Sequence, residues 1–404
     1  MIPFSPPRID KEILDEVMAA LTSGWITTGP RTKQFEKEIS DYVGVEKVLA
    51  VSSWTAGAEM LLHWFGVTTG DEVIVPAYTY CATANIIIHC GATPVMVDVK
   101  NDFCIDIDAI EKAITPRTKA ILSVDIGGYP VDYLSIKNLI AKESIRNLFN
   151  PKNEKQKQLG RILFISDAAH SFGANYNNEK VGKQADFTVF SFHAVKNLTT
   201  AEGGGICLNL SQSFDNLELY QELNILSLHG QSKDALAKTQ KGCWEYDVHS
   251  AGFKCNMTDI LASIGLVELR RYDSEILPKR KIIVSKYSDA FSAFEWAIIP
   301  PSISKESESA YHLYLLRIKG INIEQRNDMI QYIFEKDVSV NVHYKPLPEL
   351  SFYKSLGYKM NHYPVSKQLW ENEISLPIFY DLTDKQINQV IEVVVEAYYS
   401  ITQK

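Results

Sequence analysis

Cysteine is scarce in this sequence, and its arrangement argues against a zinc site. No two of the six cysteines form a Cys-x-x-Cys pair, the spacing that many structural zinc sites use, so we expect no bound metal. Their scatter over 404 residues is typical of buried thiols in a reducing compartment. The six are Cys81, Cys90, Cys104, Cys207, Cys243 and Cys255.

The sequence also lacks the long runs that mark membrane, secreted and nucleic-acid-binding proteins. No apolar stretch is long enough to span a bilayer, and residues 1–7 lack a basic stretch followed by an apolar run. The net charge is −8, and the sequence contains no cluster of Lys or Arg that could bind phosphates, so nucleic acid is excluded as a partner. We therefore expect a cytoplasmic protein that binds neither membrane nor nucleic acid. An anionic small molecule remains compatible, since a pocket can be locally basic.

What the sequence does have is a series of short apolar runs separated by helical patterns. Most runs are continuous in Val, Ile, Leu and Phe, which is typical of strands buried on both faces. Helical patterns such as residues 56–65 and 80–89 lie between several of them, so we predict an α/β domain with a largely parallel sheet. The predicted strands are residues 47–51, 72–75, 94–99, 120–126, 162–165 and 187–192.

The pattern changes in the second half of the chain, which predicts a second, smaller domain. Residues 142–160 hold little periodic apolar content and are predicted to be a surface loop or a small insertion. A helix is predicted from the N-cap Thr258 towards residue 291, with an interruption near Pro278. We place a large domain at residues 1–270 and an α+β domain at 271–404. Its predicted elements are strands 311–318 and 338–344, a helix over 323–335 and a last helix after Thr383.

Three segments contain residues that could carry chemistry, and each also has a simple structural explanation. Asp167 follows a buried strand, where open α/β sheets bind ligands, although it could equally cap a loop. Lys196 follows another buried strand and could be a desolvated, reactive amine, although most lysines are simply solvated. Residues 52–58 are small and enter a helix, whose free amides could hold a phosphate or merely form a tight turn.

Together the three segments supply what a pyridoxal phosphate (PLP) enzyme needs. A phosphate cradle, an acid and a reactive lysine would hold the cofactor's phosphate, its ring nitrogen and its aldehyde, respectively. Further motifs accompany them along nearly the whole chain, at residues 23–30 (SGWITTGP), 70–76 (GDEVIVP), 83–85 (TAN), 167–170 (DAAH), 191–197 (SFHAVKN) and 375–377 (SLP).

In this order and spacing the motifs resemble those of the DegT/DnrJ/EryC/StrS sugar aminotransferases. The resemblance implies a fold-type-I transferase, with a mostly parallel seven-stranded sheet flanked by helices in the large domain and a smaller α+β domain. It implies PLP as cofactor, L-glutamate as amino donor and a nucleotide-linked keto-sugar as acceptor, in the synthesis of surface polysaccharides or other glycans. The leading acceptors are 4-keto-6-deoxy hexoses linked to UDP, dTDP or GDP.

The same resemblance assigns roles around the cofactor. Lys196 would attach to the aldehyde and later move a proton between substrate and cofactor, and Asp167 would pair with the ring nitrogen. His170 would bond the ring hydroxyl, and Tyr80 would stack on the ring. The cofactor phosphate would be held by the amides of Thr55 and Ala56 and the hydroxyl of Ser191.

Lys254 departs from the commonest family pattern. Many relatives have an Asn at this place in a Gly-Tyr-Asn-Tyr-Arg-Met segment, and that Asn reaches the phosphate in the neighbouring subunit. This chain has Gly-Phe-Lys-Cys-Asn-Met over residues 252–257. An ammonium can serve as a point charge for the same phosphate, so a homodimer with shared sites is still expected.

Residues 343–345 match the substrate-side segment of the family, and residues 27–30 are expected to lie near the same substrate. The nucleotide-sugar is expected near Thr28 and Gly29 and near His343 and Tyr344. For His343 and Tyr344 a half-buried strand is the alternative explanation.

Two other functions fit the same fold. A PLP- or PMP-dependent sugar dehydratase usually has His at the position of Lys196, so this lysine favours transamination. A non-catalytic regulatory protein would be expected to lose Lys196 or Asp167, and both are present.

Overall fold

The central feature of the computed structural model is a seven-stranded sheet. The structure describes residues 1–210, 213–232 and 245–402. The strands in the first 210 residues are β1 (Lys47–Val51), β2 (Glu72–Pro76), β3 (Thr93–Val97), β4 (Thr118–Val124), β5 (Leu163–Asp167), β6 (Asn175–Tyr176), β7 (Glu179–Lys180), β8 (Phe187–Ser191) and β9 (Gly204–Leu208). Seven of them form one sheet in the order β1-β9-β8-β5-β4-β2-β3.

The sheet is mostly parallel, as predicted from its continuous apolar runs. Strands β3, β2, β4, β5 and β8 pair in parallel, and only β9 runs antiparallel to both of its neighbours. Strands β2, β4 and β5 are buried along their whole length. Because the parallel strands end at the same edge, the segments that follow β1, β2, β4, β5 and β8 come together there.

Helices pack against this sheet and share one large hydrophobic cluster with it. The helices of this part of the chain are α1 (Lys11–Thr22), α2 (Pro30–Val43), α3 (Trp54–Trp64), α4 (Ala82–His89), α5 (Ile107–Ala113), α6 (Tyr133–Ala141), α7 (Glu143–Leu148), α8 (Glu154–Leu159), α9 (Asn216–Ser227) and α10 (Asp259–Arg270). Of these, α1 packs against α10 and contributes no residue to the cluster. Thr258 is the N-cap of α10 as predicted, although its side chain makes no capping hydrogen bond.

A second hydrophobic cluster gathers around a small antiparallel sheet in the last third of the chain. That sheet has the order β10-β12-β13. The elements that follow α10 are α11 (Leu277–Phe291), β10 (Ala297–Ile298), β11 (Ser307–Glu308), β12 (Tyr314–Ile318), α12 (Ile323–Glu335), α13 (Ser351–Ser355), α14 (Pro364–Asn372), β13 (Glu373–Leu376) and α15 (Asp384–Thr402). Of these, β11 pairs with β6, and α13 contributes Tyr353 to the first cluster. The domain boundary at residues 270/271 stays a prediction.

Several predictions for this region hold. The helix over residues 323–335 has the predicted bounds. A π-helical turn over Tyr272–Ile276 separates α10 from α11, just before Pro278. The capping box of the last helix is formed, since Gln386 N donates to Thr383 Oγ1 (3.3 Å) and Thr383 N donates to Gln386 Oε1 (2.9 Å).

Two local predictions are wrong. The loop predicted over residues 142–160 is instead mostly the two short helices α7 and α8, anchored by buried Ile145 and Leu159. Each buries too few side chains to leave a helical period in the sequence. The strand predicted over 338–344 is irregular, and only Val338 and Asn341 make single bridges.

Two further observations concern the chain as a whole. Among the described residues, none of the helices has the length and apolar character needed to cross a membrane. Five cysteines lie within the described ranges and none of them is in a disulfide, while Cys243 lies outside those ranges.

Asp259, at the start of α10, caps α2 from a distant part of the sequence. Its Oδ1 accepts hydrogen bonds from the Gly29 amide (2.8 Å) and from the amide and hydroxyl of Thr32 (2.9 and 2.7 Å). Its Oδ2 accepts from the Arg31 amide (3.0 Å). The side chain is fully buried, and its negative charge lies at the positive end of the α2 dipole.

We predict that Asp259→Ala lowers the free energy of unfolding by about 3 kcal/mol, because it leaves buried amides of α2 unpaired. Asp259→Asn keeps one acceptor oxygen and should cost about 1 kcal/mol. Urea titrations of the wild type and both variants measure the difference. Three superimposable curves would contradict the capping role.

Candidate active site

A cavity of about 340 Å³ opens at the edge where the parallel strands end. Its walls come from the segments after β1, β2, β5 and β8, together with the segment around residue 344. It is lined by Ser53, Trp54, Thr55, Thr79, Tyr80, Ala82, Thr83, Val124, Asp167, Ala169, His170, Ser191, His193, Val195, Lys196, Glu202, Gly203, His343 and Tyr344.

Asp167 is the last residue of β5 and is buried at the base of the cavity. Its carboxylate accepts hydrogen bonds from the Ala169 amide (3.2 Å) and from the Thr83 hydroxyl (3.1 Å), and Thr83 is in turn 3.0 Å from the Thr79 hydroxyl. Burial raises the pKa of Asp167 to about 7, against the opposing effect of these hydrogen bonds and of Lys196. The acid is therefore fixed in orientation but lacks a full ionic partner.

Lys196 lies in the turn after β8 and lines the same cavity. Burial lowers the pKa of its amine to about 8, although the attraction of Asp167 raises it. A larger fraction of this amine is therefore unprotonated near neutral pH than for a solvated lysine, which is the requirement for attack on a carbonyl carbon.

The N-terminus of α3 forms an anion cradle beside these groups. Ser53 is its N-cap and accepts from the Ala56 amide (3.0 Å). The amides of Trp54 and Thr55 have no partner in the described part of the chain, and both residues line the cavity. Ser191, at the end of β8, adds a hydroxyl to the same wall. Free helix amides and a hydroxyl are suited to a phosphate group.

Strand β9 packs against this cradle so closely that it needs glycine. A Cβ at Gly204 would lie 2.7 Å from the Ser53 carbonyl carbon and 2.8 Å from the Trp54 nitrogen, both backbone atoms that a side-chain movement cannot relieve. Steric exclusion of a side chain at the cavity wall therefore explains the glycine at position 204, within the Gly-Gly-Gly stretch after Glu202.

His170 and Tyr344 form an oriented pair on the opposite wall. The Gly127 amide donates to His170 Nδ1 (3.2 Å), so the ring proton must lie on Nε2, which is 3.0 Å from the Tyr344 hydroxyl. Burial and the nearby Lys196 hold the pKa of His170 well below its ordinary value, so the ring is neutral. Nε2–H therefore donates to Tyr344, whose own proton is free to point elsewhere.

Eight of the predicted site residues line the cavity together. They are Thr55, Tyr80, Asp167, His170, Ser191, Lys196, His343 and Tyr344. Tyr80 is 58% exposed at the mouth, and its ring centroid lies 5.8 Å from that of Tyr344. Ala56 is not among the residues that line the cavity, and its amide already donates to Ser53 Oγ.

The other predicted residues form a separate group outside the cavity. Lys254 Nζ bonds Asn256 Oδ1, and Asn256 Nδ2 donates to Thr28 Oγ1 (2.6 Å), while the Gly29 amide bonds Asp259. Thr28, Gly29 and Lys254 thus lie next to each other but not among the residues that line the cavity of the same chain.

Sequence reasoning assigned no role to several residues that shape the site. Ser53 orders the cradle, Thr83 holds Asp167, and Gly127 sets the tautomer of His170. Ser53 had a recognisable signal, because Ser before a helical pattern is a strong N-cap. The contacts of Thr83 and Gly127 join distant parts of the chain, so no local pattern predicts them.

Comparison with known proteins identifies the class to which this fold and site belong. Spr1654 of Streptococcus pneumoniae, named as a sugar aminotransferase, has a PMP-form structure that is 46% identical, with a TM-score of 0.95 over 99% of this chain and 100% of that one. A PLP form of the same protein matches with a TM-score of 0.94. PseC of Helicobacter pylori, an aminotransferase in pseudoaminic acid biosynthesis, is 30% identical, with a TM-score of 0.86 over 99% of both chains. Each is an aminotransferase by name.

The family follows from the sequence profile. The DegT/DnrJ/EryC1/StrS aminotransferase family matches residues 7–149 and 153–395, and the chain belongs to this family. The spore coat polysaccharide biosynthesis protein SpsC of Bacillus subtilis is 36% identical over 97% of this chain and 96% of its own length. The predicted family, fold and enzyme class are confirmed, and the PLP and PMP forms of the pneumococcal protein bear out the expected cofactor.

The raised pKa of Asp167 predicts a pH-dependent instability of the cofactor-free protein. An unfolded aspartate titrates near its ordinary pKa of 3.8, whereas the folded one titrates near 7. Between these values the folded state binds more protons than the unfolded state, so the stability that protonated Asp167 contributes is lost as the pH rises through 7. Asp167→Asn keeps the shape without the charge. It should melt near the wild type at pH 4 and above it at pH 8.

Differential scanning fluorimetry of both cofactor-free proteins from pH 4 to pH 8 measures this difference. The matched control is Asp273→Asn, which removes the charge of an exposed aspartate outside the cavity and so measures the general effect of losing one negative charge. A constant offset between the wild type and Asp167→Asn would show that Asp167 is already ionised in the folded protein.

Proposed function

We propose that this chain transfers the amino group of L-glutamate, through PLP, to the keto carbon of a nucleotide-linked deoxy-sugar. The observation that carries the proposal is the presence of Lys196 and Asp167 in one cavity, beside an anion cradle. Membership in a sugar aminotransferase family supports the sugar acceptor. The name of SpsC supports a role in making surface or other polysaccharides.

The residues of the cavity fit PLP by their chemistry. The free amides of Trp54 and Thr55 and the Ser191 hydroxyl would hold its phosphate, and Asp167 would hold the protonated ring nitrogen. When bound, PLP supplies an aldehyde that combines with amines and a ring that takes up an electron pair. A positive ring nitrogen beside Asp167 would also lower the pKa of this acid, because it supplies the missing ionic partner.

Lys196 is the residue that attaches the cofactor and moves protons. Its lowered pKa leaves an amine that accepts a proton from the donor's α-carbon near neutral pH and returns it as an acid. His170, neutral and held by Gly127, orients Tyr344 beside it. His343 and Tyr344 face the space left for the acceptor sugar.

A homodimer would bring the remaining residues to the site. Leu14, Met18 and Leu21 lie on one face of α1 at helical spacing and are each more than 45% exposed, which is the pattern of a helix face that packs on a partner. Lys254 and Thr28 lie outside the cavity of their own chain. We propose that a second copy covers α1 and that Lys254 reaches the cofactor phosphate of that copy.

The test of the function is a panel of nucleotide-linked keto-sugars incubated with L-glutamate and PLP. Mass spectrometry should find an amino-sugar from at least one UDP-, dTDP- or GDP-linked member. Lys196→Ala should lower the rate by about 10³-fold or more, because both attachment and proton transfer are lost. Borohydride should fix the cofactor to the peptide that contains Lys196 in the wild type. Labelling of any other lysine instead would overturn the proposal.

Mixing two inactive variants tests the shared site. In a mixed dimer of Lys196→Ala and Lys254→Ala, one site combines Lys196 of one chain with Lys254 of the other. After random reassembly, about one quarter of wild-type activity should return, since half of the dimers are mixed and one of their two sites is intact. No recovery, with dimers verified by sedimentation, would show that Lys254 acts within its own chain or not at all.

A further inference from the structure

Three hydrogen-bonded side chains lead from the small sheet to the cavity. Glu373 and Ser375 are two residues apart in β13, so they project from the same face, and both are fully buried. The Ser375 hydroxyl bonds Glu373 Oε1, and His343 Nδ1 lies 2.9 Å from Ser375 Oγ. The backbone amide of His343 donates to Glu373 Oε2 (3.0 Å). Glu373 thus contacts His343 twice, directly and through Ser375.

The imidazole of His343 is held in one orientation. Asn341 pairs with Ser375 through two backbone hydrogen bonds of 3.1 and 2.8 Å, which fix the segment beside β13. The Phe4 ring stacks on the imidazole at 5.4 Å, and the Tyr344 ring stands perpendicular to it at 5.0 Å. Its second nitrogen, Nε2, has no hydrogen-bond partner within the described ranges, and the residue lines the cavity that holds Lys196.

The hydroxyl proton of Ser375 couples the protonation of Glu373 to that of His343. When Glu373 is ionised, Ser375 donates to it and accepts from His343 Nδ1–H, so Nε2 carries a lone pair. When Glu373 is protonated, it donates to Ser375, which donates to Nδ1, and the imidazole proton lies on Nε2. One proton at Glu373 therefore decides whether Nε2 accepts or donates.

The surroundings of Glu373 allow both states near neutral pH. Burial raises the pKa of Glu373 to about 8, against the effects of Ser375, the His343 amide and Arg326. Arg326 is the cation that faces it from α12, but its guanidinium donates to the backbone carbonyls of Trp370 and Glu373. The other titratable groups that face Glu373 or His343 are Tyr78, His170, Lys196, His312 and Tyr344.

We propose that Glu373 is a positioning residue which, through Ser375, sets the tautomer that His343 presents to the acceptor sugar. With Glu373 protonated, Nε2–H donates to the keto oxygen, which can only accept. With Glu373 ionised, the Nε2 lone pair accepts from the amine of the product, which donates. The tautomer relay itself stands on the geometry alone, whereas the identity of the bound group rests on the proposed function.

Glu373→Gln provides the test, because it locks one state. The His343 amide needs an acceptor, so the Gln oxygen faces it and the Gln amino group donates to Ser375, which leaves the imidazole proton on Nε2. In ¹⁵N-histidine NMR, wild-type His343 should change from Nε2-protonated to Nδ1-protonated as the pH rises from 6 to 9. Glu373→Gln should stay Nε2-protonated throughout. His343→Asn assigns the signal.

Steady-state kinetics then test whether Glu373 positions His343 or has only a general structural role. The KM for the keto-sugar should rise about 10-fold in the wild type above pH 8, as the donor is lost, and stay level in Glu373→Gln. The first half-reaction with L-glutamate, followed by the loss of visible absorbance, should be equal in both proteins. Ser375→Ala should abolish the pH dependence of the His343 signal, and Ser375→Thr, which keeps the hydroxyl, should restore it.

Glu268→Gln is the matched control, since Glu268 is also buried but lies in α10, in an ion pair with Arg271. It should leave the His343 titration unchanged. A wild-type tautomer that is independent of pH, or one that is identical in Glu373→Gln at every pH, overturns the relay. A working relay in a protein that aminates no sugar would instead overturn the proposed function.

Discussion

The site depends on a buried carboxylate and a half-buried ammonium that the fold places in one cavity. Each is disfavoured in its charged form by the loss of water, and each is partly stabilised by the other, so the pKa of Asp167 is raised while that of Lys196 is lowered. Neither group has another ionic partner among the described residues that line the cavity. This arrangement is costly without a ligand, and it is suited to one that brings its own positive ring nitrogen and a carbon that an amine can attack.

The parallel sheet is what brings the two groups together. Asp167 and Ser191 end neighbouring strands, and the helix amides after β1 meet them because strands of the same direction end at one edge. The antiparallel β9 lies between β1 and β8 and starts with glycine, so the cradle and the lysine turn can approach each other closely. Another wall comes from the segment near residue 344, where Tyr344 packs against a small hydrophobic cluster that includes Tyr78 and Val124.

Sequence patterns predicted those features that rest on local composition. The buried strands β2, β4 and β5 are continuous apolar runs, and the last helix carries its own capping box, so both were recognisable. Lys196 and Asp167 were identified because each directly follows such a run. Strand β9 was missed because glycine and cysteine replace the usual branched residues, and the relay of Glu373 was missed because its partner His343 is thirty residues away. Lys254 is a different case, since its expected role involves a second copy of the chain.

Trp54 places an intrinsically fluorescent side chain in the wall of the cavity. Its indole is almost wholly buried, it lines the cavity beside the cradle, and its Nε1–H has no partner in the described part of the protein. A conjugated cofactor that occupies this cavity and absorbs where indole emits would quench the emission of Trp54. The fluorescence of the protein should therefore report cofactor loading and its conversion between forms in real time, without any attached dye.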